Sequence, residues 1–425
     1  MAEPIAAAEV WLWRHFVGAV AEAPDGQITF EYDPAFPRAG LEISPLMLPT
    51  SRQGPLVFPE LRRVEAFAGL PGVLADALPD RFGNAVIAKY FSDRGRPGDA
   101  LRPVQKLLYV GTRAMGALEF HPPIRLGHAT QREPLEIAAL VAQARVVVEG
   151  QADVAIPEIM RVGASAGGAR PKALVLWNSR TEQIRSGFAR PQAGDEHWIV
   201  KFDGVGELAA PDPNPKPFNR IEYAYGRLAR EAGIHMPETR LLEERRCAHL
   251  LVRRFDRDAG KRLHLHSLGG MHHVDYNAPG QFSYEQFLKT ILQLGLDYPT
   301  LEQGFRRAAF NVIGVNQDDH VKNISFLMDE RGAWRLAPAY DLTYARGSGY
   351  TRTHQMSLNA KVDGFARADL LALGGAVGLK RDGAEIIDQV VAAMRRWPEY
   401  AQAAGVPRET ITFIASQQRL LGAGA

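Results

Sequence analysis

The sequence predicts an α+β fold in which a strand-rich N-terminal part precedes a mostly helical C-terminal part. Residues 28–32 alternate apolar and polar side chains, which is typical of a half-buried strand. In residues 301–315 the apolar side chains recur at helical spacing on one face. A chain of 425 residues is too long for one ordinary core, so two or three subdomains are expected.

The composition indicates a soluble globular protein, since 46% of the residues are hydrophobic and 23% are charged. A formal net charge of +2 argues against strong nonspecific binding to DNA. Cys247 is the one cysteine of the sequence, which excludes an intramolecular disulfide and suits a reducing compartment. Arg14 and His15 interrupt the apolar stretch 10–20, so neither a membrane span nor a secretory signal is predicted. We therefore expect a cytoplasmic protein.

Changes in composition along the chain predict three domains, at residues 1–125, 132–250 and 251–425. The second domain opens with a helix over 135–148 and carries a glycine-rich segment at 163–172. Two strands follow that segment, at 173–177 and 197–202.

A helix is predicted over 220–232, at the end of the second domain. Asn219 is its expected N-cap, and Gly233 is expected directly after its C-terminal end. The third domain is predicted to be helix-rich, with a β-hairpin at 323–336 that turns at 329–332. Its helices are expected at 284–294, 301–315, 368–373 and 386–401.

The strongest chemical signal is the segment Asn316-Gln317-Asp318-Asp319-His320-Val321-Lys322-Asn323, which follows a predicted helix. Asp318 and Asn323 have the D-x-x-x-x-N spacing of the catalytic loop of protein kinases, and Asp341 follows the hairpin as the second metal-binding Asp does. In such a loop the first Asp accepts the proton of the substrate hydroxyl, while the Asn and the later Asp hold Mg²⁺. The alternative is that these residues only end a helix and shape a turn. The set predicts a bilobal, protein-kinase-like fold with an ATP cleft.

The glycine-rich segment could cradle phosphates with its backbone N–H groups, and Arg170 and Lys172 would add positive charge there. Gly167-Gly168 could equally form a β-turn. Lys201 lies at the end of an apolar strand, where it could contact the α- and β-phosphates of ATP or reach solvent. Glu222 could pair with Lys201 or act in a capping box with Asn219.

Four histidines cluster at His264, His266, His272 and His273. A metal site would use a His-x-His pair on a strand, but acidic or cysteine ligands at suitable spacing are missing from the sequence around them. We therefore expect surface or loop histidines.

Taken in order, these segments resemble the HipA family of toxin kinases over nearly the whole chain. The N-terminal motifs are 10–12, 30–32, 78–83 (LPDRFG) and 111–118 (GTRAMGAL). The later motifs are 165–172 (SAGGARPK), 228–234 (LAREAGI), 254–257 (RFDR), 316–323 and 340–341.

The resemblance implies a role for each matching residue. Ser165 matches the serine that the family autophosphorylates, which ejects the loop and inactivates the kinase. The resemblance further implies which residues would bind ATP: the loop residues Ser165, Ala166, Gly167 and Gly168, then Lys201, the hinge Arg253 to Phe255, and His320. Asp318 matches the catalytic base, with Lys201 beside the phosphates, and Asn323 and Asp341 match the Mg²⁺ ligands.

The resemblance also implies the biology: a serine/threonine kinase toxin that phosphorylates a protein, an aminoacyl-tRNA synthetase being the best-known kind of target. Its expected partner is a HipB-like helix-turn-helix antitoxin, which would contact DNA for the pair, and a homodimer is a further expectation. Two alternatives stay open: a silent subunit that binds an antitoxin, and a kinase of a small molecule. Gln317, where ordinary kinases carry Arg, and the long gap before Lys201 depart from eukaryotic-type kinases but suit the HipA group.

Overall fold

A computed structural model of the chain describes residues 6–92, 101–124, 134–149, 170–205, 217–244, 247–258 and 260–421. The chain forms two compact units. The first contains Met1–Lys216, Thr239–His266 and Asp329–Gly332, and the second contains Pro217–Glu238, Ser267–Met328 and Ala333–Ala425. The chain therefore passes between the units several times, and the three domain boundaries expected from composition stay a prediction.

Two five-stranded antiparallel sheets form the framework of the first unit. The first sheet has the order β4-β3-β2-β1-β5 and consists of β1 (Ala6–Leu12), β2 (His15–Glu22), β3 (Ile28–Tyr32), β4 (Leu56–Val57) and β5 (Leu118–His121). The alternation predicted over 28–32 is present in β3, where Ile28, Phe30 and Tyr32 are buried.

The second sheet has the order β7-β6-β8-β10-β9. It consists of β6 (Lys172–Asn178), β7 (Gln183–Ser186), β8 (Asp195–Lys201), β9 (Thr239–Glu244) and β10 (Cys247–Arg253). Both strands predicted after the glycine-rich segment are present, as β6 and β8. The central position of β8, with Trp198 and Val200 buried, fixes the backbone of Lys201 at its end.

Further helices and strands complete the chain up to residue 267. The helices are α1 (Gly72–Ala75), α2 (Arg81–Ser92), α3 (Pro103–Val110) and α4 (Ile137–Glu149), and the strands that follow β10 are β11 (Arg257–Asp258), β12 (Lys261–Arg262) and β13 (His264–Ser267). The helix predicted over 135–148 is α4.

Helices dominate the second unit, as the sequence predicts. They are α5 (Phe218–Glu231), α6 (Leu268–His272), α7 (Tyr284–Gln293), α8 (Tyr298–Gly314), α9 (Arg367–Ala376), α10 (Lys380–Arg395), α11 (Trp397–Ala403) and α12 (Arg408–Gln417). The strands are β14 (Phe282–Ser283), β15 (Ser325–Met328), β16 (Trp334–Leu336) and β17 (Met356–Ser357). The predicted hairpin is present, because β15 and β16 pair antiparallel and Gly332 adopts a φ of 81° in the turn. No helix within the described ranges has the length and apolarity that crossing a bilayer requires.

The predicted ends of two helices need correction. Asn219 is not an N-cap: α5 begins at Phe218 with Pro217 at the N-cap, and Asn219 is buried inside the helix. The capping box between Asn219 and Glu222 is therefore excluded, whereas Gly233 ends the helix as predicted, with a φ of 79°. The single helix expected over 386–401 is two helices, α10 and α11, because Pro398 lacks the N–H that a continuous helix would use.

The expectation of surface histidines was wrong for His264 and His266, which are fully buried in β13. His264 Nε2 donates to the carbonyl of Ile43 at 2.8 Å, and His266 bonds Asp76 and Ser44. Among the described residues there is no group of three or more His, Cys, Asp and Glu side chains that could hold a metal ion. These two histidines therefore join strand β13 to loops of the first unit.

Burial of His264 should make the protein less stable in acid. Burial and the neighbouring His266 lower the pKa of His264 from 6.5 to about 4, so the unfolded chain takes up this proton first as the pH falls. Relative to a His264→Gln variant, which keeps a donor for Ile43, the wild type should lose about 2 kcal/mol between pH 7.5 and pH 5. Urea unfolding at both pH values measures this difference. Equal losses in the two proteins would contradict it.

Candidate functional site

The segment 316–323 starts at a sharp end of α8. Val315 adopts a φ of 55°, a conformation that is rare for a β-branched residue, and its N–H donates to the carbonyl of Asn311. The N–H of Asn316 donates to the same carbonyl at 2.9 Å, and its side chain donates to Asn311 Oδ1 at 3.0 Å. The loop therefore leaves the helix in a fixed direction.

Asp318 and Asn323 meet within this loop, as their spacing predicts. The Asn323 side chain donates its Nδ2–H to the carbonyl of Asp318 at 2.9 Å. The Asp318 carboxylate itself is 42% exposed, and its Oδ1 lies 3.8 Å from Nε2 of His320. The loop thus presents a carboxylate to solvent while an amide beside it is held in place.

Asp319, the next residue, has the opposite environment. Its carboxylate is fully buried and accepts hydrogen bonds from the Tyr284 hydroxyl at 2.5 Å, from Nδ1 of His354 at 2.7 Å and from the Gln355 N–H at 2.7 Å. A buried carboxylate needs such donors, because leaving it unsatisfied would cost several kcal/mol. Two adjacent Asp residues of one loop therefore do different work.

One pocket of the second unit joins the loop to the segment after the hairpin. Its lining includes Asn323, His320, Asp341 and Arg307. Asp341 adopts a φ of 54°, and the hydroxyl of the preceding Tyr340 donates to the carbonyl of Lys322 at 2.7 Å. The structure thus places Asn323 and Asp341 in the lining of a common pocket.

The charges around this pocket follow from burial. Burial lowers the pKa of His320 to about 4, although the nearby Asp341 opposes the shift, so the imidazole is neutral at pH 7. Burial also lowers the pKa of Arg307 to about 10, which leaves the guanidinium charged, and its Nη2 donates to the carbonyl of Ala337 at 2.7 Å. The pocket therefore combines a fixed cation, a carboxylate and an amide.

Lys201, Arg253 and Phe255 lie in the first unit. Lys201 is the last residue of β8, and in the second sheet it pairs with Lys172 of β6 on one side and with Leu250 of β10 on the other. Arg253 ends β10 and forms an ion pair with Glu196 at 2.9 Å, while Phe255 is half-buried two residues later. The predicted residues Ser165, Ala166, Gly167 and Gly168 lie outside the described residues.

A Ser–His–Asp arrangement in the first unit resembles a hydrolase triad but lacks access. His266 Nε2 lies 3.0 Å from Ser44 Oγ, and its Nδ1 lies 2.8 Å from Asp76 Oδ2. Ser44 is fully buried, so no substrate could reach its hydroxyl. The hydrogen bond between His266 and Ser44 instead holds the loop carrying Ser44 to strand β13.

Comparison with known families identifies the chain. Residues 164–397, more than half of the sequence, match the family model described as the HipA-like C-terminal domain. The chain belongs to the HipA family. Residues 8–121 match a second family model, the HipA N-terminal domain. The predicted resemblance is therefore confirmed.

The chain is also similar to solved structures and to a curated relative. A structure of HipA from the Shewanella oneidensis toxin–antitoxin system, with HipB and operator DNA, has a TM-score of 0.67 at 18% identity, covering 97% of this chain and 95% of that one. This likeness confirms the predicted α+β fold. A curated relative from Haemophilus influenzae, named as a candidate kinase, is 30% identical over 166 residues. The match covers 35% of this chain and 47% of the relative, so the chain spans about half of that protein. The Helicobacter pylori kinase CtkA gives a TM-score of 0.35 at 13% identity, covering 60% of this chain and 90% of that one.

Contacts within the first unit join HipA motifs that are distant in sequence. Lys172, at the end of the SAGGARPK motif, is buried with its Nζ 3.8 Å from Asp80 of the LPDRFG motif. Asp256 of the RFDR motif accepts from the N–H of Gly116, in GTRAMGAL, at 2.7 Å. These two N-terminal motifs thus each supply a partner to a charged residue of the HipA-like C-terminal domain.

Sequence reasoning missed Asp319, Tyr284, His354 and Arg307. The signal for Asp319 was the doubled Asp itself, since one loop seldom needs two adjacent exposed carboxylates. Tyr284, His354 and Arg307 gave no such signal, because the contacts that define them connect residues far apart in the sequence.

Proposed function

We propose that this HipA-family protein is an ATP- and Mg²⁺-dependent serine/threonine protein kinase that acts as the toxin of a HipA/HipB-type module. The observation that carries the proposal is the catalytic-loop geometry: Asn323 donates to the backbone carbonyl of Asp318, the Asp318 carboxylate is 42% exposed, and Asn323 and Asp341 line one pocket. An exposed carboxylate at a fixed position can accept the proton of a substrate hydroxyl as it attacks the γ-phosphate.

The donor set of the pocket fits Mg²⁺. Asn323 would supply an amide oxygen and Asp341 a carboxylate, and Mg²⁺ commonly uses one or two carboxylates together with substrate phosphates and water. When bound, the ion would neutralise charge that builds up on the phosphates. The neutral His320 adds no repulsion to such a cation, while the charged Arg307 would favour nearby phosphate oxygens.

ATP binding is proposed for residues of the first unit. Lys201 would contact the α- and β-phosphates, the backbone of Arg253 to Phe255 would bond adenine, and Ser165 to Gly168 would cover the phosphates. The fixed backbone of Lys201, between β6 and β10, supports this assignment because the ammonium group then reaches from an ordered strand.

The partners follow from the family and are likewise proposed. A HipB-like antitoxin would bind the protein and contact operator DNA, as in the Shewanella oneidensis complex. The phosphorylated target would be a protein of translation, such as an aminoacyl-tRNA synthetase. Phosphorylation of Ser165 would inactivate the kinase, and we place the protein in the cytoplasm, where it could form a homodimer.

Intact-mass spectrometry after incubation with Mg-ATP tests the proposal. Starting from unmodified protein, the wild type should gain one phosphate, whereas Ser165→Ala and Lys201→Ala should gain none. Addition of EDTA should stop the gain in the wild type. If the wild type gains no phosphate, the proposed autophosphorylation is contradicted. The alternative of a silent subunit that binds an antitoxin is then favoured.

A mixture of two variants separates the roles of Ser165 and Asp318. Ser165→Ala keeps the catalytic loop but lacks the acceptor, while Asp318→Ala keeps the acceptor but lacks the base. Phosphate on the Asp318→Ala chain in the mixture would show transfer between copies. Its absence, with transfer in the wild type, would show that each chain modifies itself.

A further inference from the structure

The buried carboxylate of Asp319 is the meeting point of three parts of the second unit. Its Oδ2 accepts from Tyr284, the first residue of α7, and from His354. Its Oδ1 accepts from the N–H of Gln355. His354 and Gln355 come after Asp341 and directly before β17, so the catalytic loop is bonded to the segment that follows the proposed metal-binding Asp.

Further bonds tie the same segment to the same loop. The Gln355 side chain donates to the carbonyl of Gln317 at 3.1 Å, and the N–H of Gln317 donates to the carbonyl of Ala345 at 2.8 Å. The same Gln355 amide also donates to the carbonyl of Tyr350 at 2.8 Å. Residues 345–355 are thus attached on both sides of Asp318, at positions 317 and 319.

The network also reaches the helix that precedes the loop. The Tyr284 hydroxyl accepts from Asn311 Nδ2 at 3.1 Å, and Asn311 Oδ1 accepts from Asn316. Burial and the charge of Asp319 hold the pKa of Tyr284 well above its usual value, so its hydroxyl stays a donor at any physiological pH. The hydrogen bonds that lead from Asn311 of α8 through Tyr284 and Asp319 to Gln355 are all buried.

We propose that Asp319 is a positioning residue that holds Asp318 in its exposed orientation and keeps residues 345–355 in place without phosphorylation of that segment. This inference rests on the proposed kinase function. In kinases that are switched on by phosphorylation, an arginine pairs with a phosphate on the corresponding segment. Here Gln317 replaces the arginine that precedes the catalytic Asp, and Asp319 bonds the segment directly.

Replacement of Tyr284 by phenylalanine removes one bond to Asp319 and leaves the ring in place. The autophosphorylation rate at saturating Mg-ATP should fall between about ten- and a hundred-fold, because a small displacement of a catalytic group has effects of that size. Affinity for ATP should change less than about two-fold, since Tyr284 lines no part of the proposed ATP site. The matched control is Tyr225→Phe, another fully buried tyrosine, whose hydroxyl donates to the Gly314 carbonyl at 2.8 Å. This control should lose stability but keep its rate.

His354 offers a conservative rescue. An asparagine places its amide N–H near the position of Nδ1, whereas a glutamine places it near Nε2. His354→Asn should therefore retain much of the rate and His354→Gln should lose it, although both lose the packing of the ring against Phe365. Equal rates in these two variants would contradict a role that depends on the bond to Asp319.

Hydrogen exchange tests the junction without requiring activity. In Tyr284→Phe the amides of 316–323 and 345–355 should exchange faster together, and in Tyr225→Phe they should not. Faster exchange with an unchanged rate of transfer would show a junction that does not position Asp318, which overturns the inference while the kinase function stands. If the wild type transfers no phosphate, the proposed function fails and the positioning role fails with it.

Discussion

Replacement of Asp318 by asparagine is expected to slow phosphoryl transfer by about 10²- to 10⁴-fold, the usual contribution of a general base. Asparagine has the same shape but cannot accept the proton of the attacking hydroxyl. The bond from Asn323 goes to the backbone carbonyl of Asp318, so it remains in the variant and the proposed Mg²⁺ ligand stays in place. Affinity for ATP should therefore change less than about two-fold. The rate of phosphate gain at saturating Mg-ATP, followed by intact mass, measures the effect.

The matched control is Asp388→Asn on α10, where the carboxylate is 58% exposed and forms a surface ion pair with Arg367. Such a pair contributes at most about 1 kcal/mol to stability, so transfer should be unaffected. An Asp318→Asn protein that transfers phosphate within about two-fold of the wild type would remove Asp318 from its role as base. Loss of ATP binding in that variant would instead indicate a collapsed loop.

The sequence predicted Asp318, Asn323 and Asp341 because the chemistry of this loop is local. Asp318 and Asn323 are five residues apart in one loop, and Asp341 follows a hairpin whose turn residues are recognisable. Spacing then determines which side chains can meet. The structure places Asn323 against the Asp318 carbonyl and brings Asp341 to the same pocket as Asn323.

Asp319 and the buried histidines could not be found in this way. Asp319 differs from Asp318 only through donors at 284, 354 and 355, and His264 is buried because a loop more than two hundred residues earlier covers it. Contacts between residues so far apart produce no pattern in the local sequence. The prediction that Asn219 is an N-cap was wrong for the same reason. Asparagine favours N-caps, but here it is buried inside α5, where tertiary packing outweighs this local preference.

Loss of the Asp256 carboxylate should strongly destabilise the first unit. The side chain is fully buried and accepts from Arg254 at 2.7 and 3.0 Å, from Arg257 at 2.7 Å and from the Gly116 N–H at 2.7 Å. Asp256→Ala would leave two largely buried guanidinium groups without this partner. Breaking a buried ion pair in this manner costs about 3–5 kcal/mol. The midpoint of urea unfolding should fall accordingly.

Acid should reduce this difference in stability between wild type and Asp256→Ala, which distinguishes a lost charge from a lost side chain. Burial alone would raise the pKa of Asp256, but Arg254 and Arg257 outweigh it and hold the pKa below its usual value. The stability that the carboxylate contributes is therefore present above the pKa of an unfolded Asp, about 4, and declines as the pH falls below it. The gap between wild type and Asp256→Ala should narrow between about pH 5 and pH 3. Asp258→Ala, an exposed neighbour in β11, should change stability by less than about 0.5 kcal/mol at either pH. A gap that stays constant in acid would mean that packing, and not the charge on Asp256, holds the RFDR and GTRAMGAL motifs together.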